Sequence, residues 1–173
     1  NNSEVEWKVI KRALIPRIPQ HKTLSISSLE QKQLLRNYRV HLIRWISEWD
    51  MQVKTNYWYV IKDSFEDISA IKKKHRYQIK KGLNNCDVKL IEPLFLFEHG
   101  YPIYSKAYQS YKIKDTSVVS VPTMEEFLLT YKEASKVSQF WGVFEKRTNI
   151  FIGFAENAIR GNTVIYGSMK FDP

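Results

Sequence analysis

The side chains best equipped for chemistry in this sequence are cations. Lys72, Lys73, Lys74 and Arg76, followed by Lys80 and Lys81, place six positive charges within ten residues. Lys72, Arg76 and Lys80 stand four apart, so a helix aligns them in one stripe. Such a row can hold phosphates, with His75 and Tyr77 between the cations available to stack on a base. The same spacing also serves a plain solvated helix face, where long cationic stems cover apolar surface.

Glu156 interrupts an apolar run. It is either a carboxylate near a strand end facing water or a buried acid with a raised pKa, suited to taking a proton. Tyr101, Tyr104, Tyr108 and Tyr111 recur at helical spacing, as a row that stacks on a substrate or as a stripe that fills a core. Gly167, inside a strand pattern, marks either a bulge or a tolerated glycine. His21, His41, His75 and His99 are dispersed and form no zinc-binding spacing, so no metal is expected. Cys86 is the single cysteine; it excludes a disulfide scaffold and reads as a buried structural thiol. No G-x-S-x-G, G-x-x-x-x-G-K-[ST] or G-x-G-x-x-G string occurs, which removes the main support for serine-hydrolase, P-loop and Rossmann readings.

The elements that must position these residues follow from pattern. The 173 residues, 43% of them hydrophobic and 14% aromatic, suffice for a folded core and exclude a disordered chain. Residues 1–54 read as an extension with one long helix, capped by Ser27 or Ser28 and running to Trp49. Asn56–Lys62 reads as a strand, and Ser64 as the cap of a basic helix over Phe65–Leu83 that ends at Gly82 and Asn84. Cys86–Ile91 is a strand ended by Pro93. Gly100–Pro102 is a turn with Pro102 opening a helix to Tyr111, and Thr123 with Glu126 forms a capping box for a helix to about Lys136. Gln139–Glu145, Ile150–Ile159 and Thr163–Phe171 form an antiparallel meander. The second of these strands shows little polar alternation, which predicts cover on both faces.

Charge is divided unevenly. Residues 1–90 hold 18 Lys and Arg against 9 Asp and Glu, whereas residues 91–173 hold 9 of each. The whole excess of +9 therefore lies in the first half, which predicts one local anionic contact rather than a general attraction to polyanions. No apolar run approaches the roughly 20 residues needed to span a bilayer. With no secretory pattern at the start, a cytoplasmic setting without membrane partners is expected.

The order strand, helix, helix, strand, strand, strand from Cys86 onward resembles the first half of the GNAT-like N-acetyltransferase fold. The string Lys74-His75-Arg76-Tyr77-Gln78-Ile79-Lys80-Lys81-Gly82 is similar to the Lys-x-Arg-x-x-Ile-Arg-Lys-Gly/Ala pattern of the Fem-type aminoacyl transferases of bacteria. Lys73 stands here in that pattern's serine position and Lys80 in that of its second arginine. The resemblance covers about residues 56–171 and implies an α/β (α+β) N-acyltransferase-like domain over 55–173, built on a mixed sheet. It implies transfer of an acyl or aminoacyl group from acyl-CoA or aminoacyl-tRNA to the amine of a small molecule or peptide, with tRNA as a further partner.

By position, Glu156 is the expected base and Tyr166 the expected proton donor to the leaving group. Lys72, Lys74, Arg76, Lys80 and Lys81 are the expected anion-binding set, and Tyr104 and Tyr108 the expected acceptor-binding pair. Backbone N–H groups of Thr163–Met169 would stabilise the oxyanion. The acyl-carrier cradle of such folds follows the strand that ends here at Phe171, so the sequence is expected to be a truncated piece. A nucleic-acid-binding module built on the basic helix, or a non-catalytic interaction domain, remains the alternative.

Overall fold

The structure is a computed structural model, and it describes residues 5–49, 51–54, 61–114 and 120–172. The chain divides into two compact units, Asn1–Ile61 and Lys62–Pro173. Each has its own sheet, and the fold is mixed α and β.

In the first unit, strands β1 (Trp7–Ile10) and β2 (Ala13–Pro16) form an antiparallel hairpin, with Lys11 at φ 57° in the turn. Helix α1 (Ser28–Tyr38) opens on a capping box in which Ser27 and Glu30 satisfy each other's backbone N–H groups. Strand β3 (Leu42–Ile43) then lies parallel to β2. The helix expected to reach Trp49 thus stops at Tyr38. Arg39 turns into the left-handed region at φ 52°, and the N–H groups of Arg39 and Val40 cap the carbonyls of Arg36 and Leu35. The stop lets Val40 become buried, as is Leu14 on β2. Burial of these side chains outweighs the helical spacing of Leu42, Ile43 and Trp45.

In the second unit, the helix expected from Phe65 begins only at Lys73. Asp67, not Ser64, provides the local cap: its carboxylate accepts from Ser69 N at 2.7 Å and holds a short 3-10 turn, Ile68–Ala70. Ile71 and Lys72 are extended, and helix α2 covers Lys73–Asn85. The strand expected over 56–62 falls mostly on residues outside those described.

Strand β4 (Cys86–Ile91) leads into helix α3 (Pro93–Lys114), helix α4 (Met124–Ala134) and strands β5 (Ser138–Glu145), β6 (Phe151–Arg160) and β7 (Thr163–Phe171). β4 ends ahead of Pro93 as expected, and Pro93 is also the first residue of α3, where its missing N–H costs nothing. The turn expected at Gly100–Pro102 is absent, because α3 runs through Pro102. Leu96, Ile103, Tyr104 and Ala107, on either side of the proline, are all buried. Their packing offsets the roughly 3 kcal/mol that an internal proline costs.

The strands pair in the order β4-β5-β6-β7, antiparallel throughout. Leu96, Ile103 and Tyr104 of α3, Phe127 and Tyr131 of α4, Phe140 of β5 and Phe154 of β6 form one core on a single face of this sheet. The other face carries Leu90, Trp141, Ala155 and Met169, side by side in register, with Leu90 and Met169 about half exposed. Cover on both faces of β6 is therefore not seen within this unit. β6 is instead protected by its two neighbouring strands and, at Gly153, by the Phe171 ring.

Candidate functional site

The site is built on the helix-covered face of β6 and β7. Residues paired across a ladder share a face, so Glu156, opposite Phe140, points to the same side as the core. Its Oε1 accepts a hydrogen bond from Ser138 Oγ at 3.1 Å. Across from Glu156 the ladder slips. Ala155 pairs with Met169 but Asn157 pairs with Tyr166, so Gly167 and Ser168 together face the single residue Glu156. This is a β-bulge on the edge strand, and Gly167 makes it: a Cβ at that position would collide with the Glu156 carbonyl oxygen.

The bulge aims Ser168 at α4, where the Tyr131 hydroxyl and Ser168 Oγ lie 3.4 Å apart. Burial pushes the Tyr131 phenol up to about 12, the Ser168 hydrogen bond opposes this, and the Glu156 carboxylate raises it further. The phenol is thus held protonated close to a carboxylate. Tyr104 is raised too, by burial first and then by Tyr108.

Beyond Ser168, Lys170 places its ammonium over three rings of α3, 6.0 Å from the Tyr104 centroid, 5.2 Å from Tyr108 and 5.4 Å from Tyr111. The tyrosine row thereby divides its labour. Tyr104 is a core side chain packed on Phe127 and Tyr131, Tyr108 is half-buried, and Tyr111 reaches the surface. Tyr101 donates to Pro122 O at 3.2 Å and anchors the segment that precedes α4.

Tyr166 is not brought to this site. It pairs with Asn157, on the opposite face from Glu156, and is 74% exposed. Asn157 Oδ1 is buried there and has no hydrogen-bond partner.

The cationic set is separate again. Helix α2 buries none of its residues. Arg76 donates to Ser69 O at 2.8 Å and so fastens the short turn to the helix. Lys72, the N-cap, makes no side-chain capping bond. Neither it nor Lys74, Lys80 or Lys81 forms an ion pair among the described residues. With 100° per residue, Lys73, Tyr77, Lys80 and Lys81 share one side of the helix, and Ile79 and Leu83 the other. Cys86 is a half-buried free thiol at the start of β4. Among the described residues no group of three His, Cys, Asp or Glu side chains could hold a metal ion, and no helix is long and apolar enough to cross a membrane.

Pattern alone singled out Glu156 and Gly167 but passed over Ser138, Tyr131, Ser168 and Lys170. Tyr131 follows Phe127 by four and carried a readable core signal. The serines and Lys170 carried none, since their importance comes from cross-strand register. Comparison with protein-family models, with curated proteins and with solved structures gives no match for this chain.

Proposed function

We propose that the second unit belongs to an N-acyltransferase in which Glu156 is the base that takes a proton from the attacking amine. The single observation behind this reading is the bulge at Gly167 and Ser168, which brings Ser168 and Tyr131 together on the face of the sheet where Glu156 and Ser138 stand. The donor is an acyl-CoA or an aminoacyl-tRNA, and the acceptor is the amine of a small molecule or peptide.

The amine nitrogen bonds to the carbonyl carbon, its proton passes to Glu156, and the thioester or ester bond breaks. The departing group needs a proton in return. Tyr131, protonated to about pH 12, is hydrogen-bonded to Ser168 on the face that carries Glu156, whereas Tyr166 stands on the other. Unpaired N–H groups on the outer edge of β7 suit the developing oxyanion.

The test is release of the free thiol from an acyl-CoA by the full-length protein against a panel of amines. Glu156→Gln is expected to lower kcat on the order of 100-fold. An unchanged rate would remove Glu156 from the mechanism.

A second reading rests on α2. A 13-residue helix with no buried side chain is marginal alone, and its unpaired cations suit the phosphates of a nucleic acid.

A further inference from the structure

Among the described residues Lys170 is the one cation of the candidate site, and its surroundings are unusual for a surface lysine. Its ammonium sits over the faces of Tyr104, Tyr108 and Tyr111 at 5.2 to 6.0 Å, and no carboxylate pairs with it among the described residues. Ring faces attract the cation electrostatically but leave its N–H donors free for an anion.

Glu156 shares this face of the sheet. Lys170 pairs with Phe154, two residues before Glu156 on β6, which roots the two charged side chains roughly 8 Å apart. They form no ion pair with each other. One face thus carries a carboxylate and an ammonium that do not neutralise each other, the complement of a molecule that bears an ammonium and a carboxylate.

We propose that Lys170, held on its tyrosine cradle, binds the carboxylate of the acceptor, so that the acceptor class is amino acids and other amines carrying a carboxylate. The assignment rests on the acyl-transfer reading of Glu156. A carboxylate monoanion matches a single ammonium: among the described side chains, Lys106 of α3 is already paired with Asp172 at 2.6 Å and no arginine fork joins Lys170.

The probe is acetate, with acetamide as its neutral counterpart, titrated into the full chain by NMR. Acetate is expected to move the Lys170 side-chain signals and the Tyr108 and Tyr111 ring signals saturably, and acetamide to move none of them. Lys170→Met should abolish the response and Lys170→Arg retain it. The wild-type comparison of the two probes decides the matter even if Lys170→Met fails to fold. Absence of a saturable response, or its persistence in Lys170→Met, overturns the assignment.

Where transfer is detected, the preference in kcat/KM for an amino acid over its amide should fall about tenfold or more in Lys170→Met, the loss of one charge-assisted hydrogen bond. Acetate binding without transfer to any amine would overturn the acyl-transfer reading and leave the anion subsite standing. Transfer without acetate binding would overturn the subsite and leave the reading.

Discussion

At the scale of single residues, the candidate site depends on a position with no room for a side chain. Gly167 faces the Glu156 carbonyl so closely that a methyl group would strike backbone on the neighbouring strand, and backbone cannot step aside as a side-chain end can. Gly167→Ala should therefore cost about 1–3 kcal/mol in chemical denaturation, the usual range for overpacking. It should also shift the amide signals of Glu156 and Ser168 more than those of β4.

The tyrosines give a pH signature whose sign follows from burial. A phenol is neutral when protonated, so burial raises its folded pKa above the unfolded value near 10. The stability this represents is fully present below about pH 10 and is lost as pH rises through about 12 for Tyr131. That amounts to about 3 kcal/mol for this residue. An absorbance titration of phenolate should show Tyr131 and Tyr104 ionising only as the second unit unfolds. Ionisation of every tyrosine near pH 10 with the fold intact would contradict this.

At the scale of elements, several boundaries were set by local chemistry that pattern could read, and others by packing that it could not. The Thr123–Glu126 capping box stands where residue type placed it, and Ser27 is one of the two serines that pattern offered as the cap of α1, although its reciprocal partner is Glu30. The end of α1 does not stand where pattern put it, because Arg39 adopts a left-handed conformation that arginine gains nothing from. Glycine carries no such penalty, so Arg39→Gly should raise the stability of the first unit by up to about 1 kcal/mol, readable as slower amide exchange in α1. A destabilised α1 would show that the Arg39 side chain matters more than its backbone. The course of α3 through Pro102 was equally hidden. Proline and Gly100 spell a turn, yet at Gly100 the Leu96 side chain from the preceding turn of α3 and Phe127 of α4 come too close for a Cβ, and that contact needs an unbroken helix.

At the scale of the whole molecule, the excess of positive charge in residues 1–90 condenses onto α2, an element with no buried residue. If that helix meets phosphates, replacing Lys72, Arg76 and Lys80 by alanine should weaken RNA binding and reduce the slope of log K against log salt by about 2 to 3. Lys72 and Lys80 are exposed and make no ion pair among the described residues, whereas Arg76 also holds Ser69 O, so Lys72→Ala with Lys80→Ala alone is the control that leaves the turn at Ile68–Ala70 intact. An unchanged slope in a folded variant would leave α2 with no phosphate role.

The sequence by itself determined what depends on neighbours a few residues away: the β4-to-β7 order of elements, the Thr123–Glu126 capping box, a serine cap at the start of α1, the antiparallel meander and the polar breaks at Glu156 and Gly167. Tertiary structure alone decided which of these residues meet. Side chains on a strand alternate between faces, so a shift of one residue in register exchanges the residues that face the core for those that do not. The bulge at Gly167 and Ser168 is such a shift. It turns Ser168 toward Tyr131 and leaves Tyr166 on the far face, while the regular β5–β6 register holds Glu156 beside Ser138. Partners separated by 18 to 66 residues, such as Ser138 with Glu156 or Lys106 with Asp172, are joined by pairing and packing that no local spacing encodes.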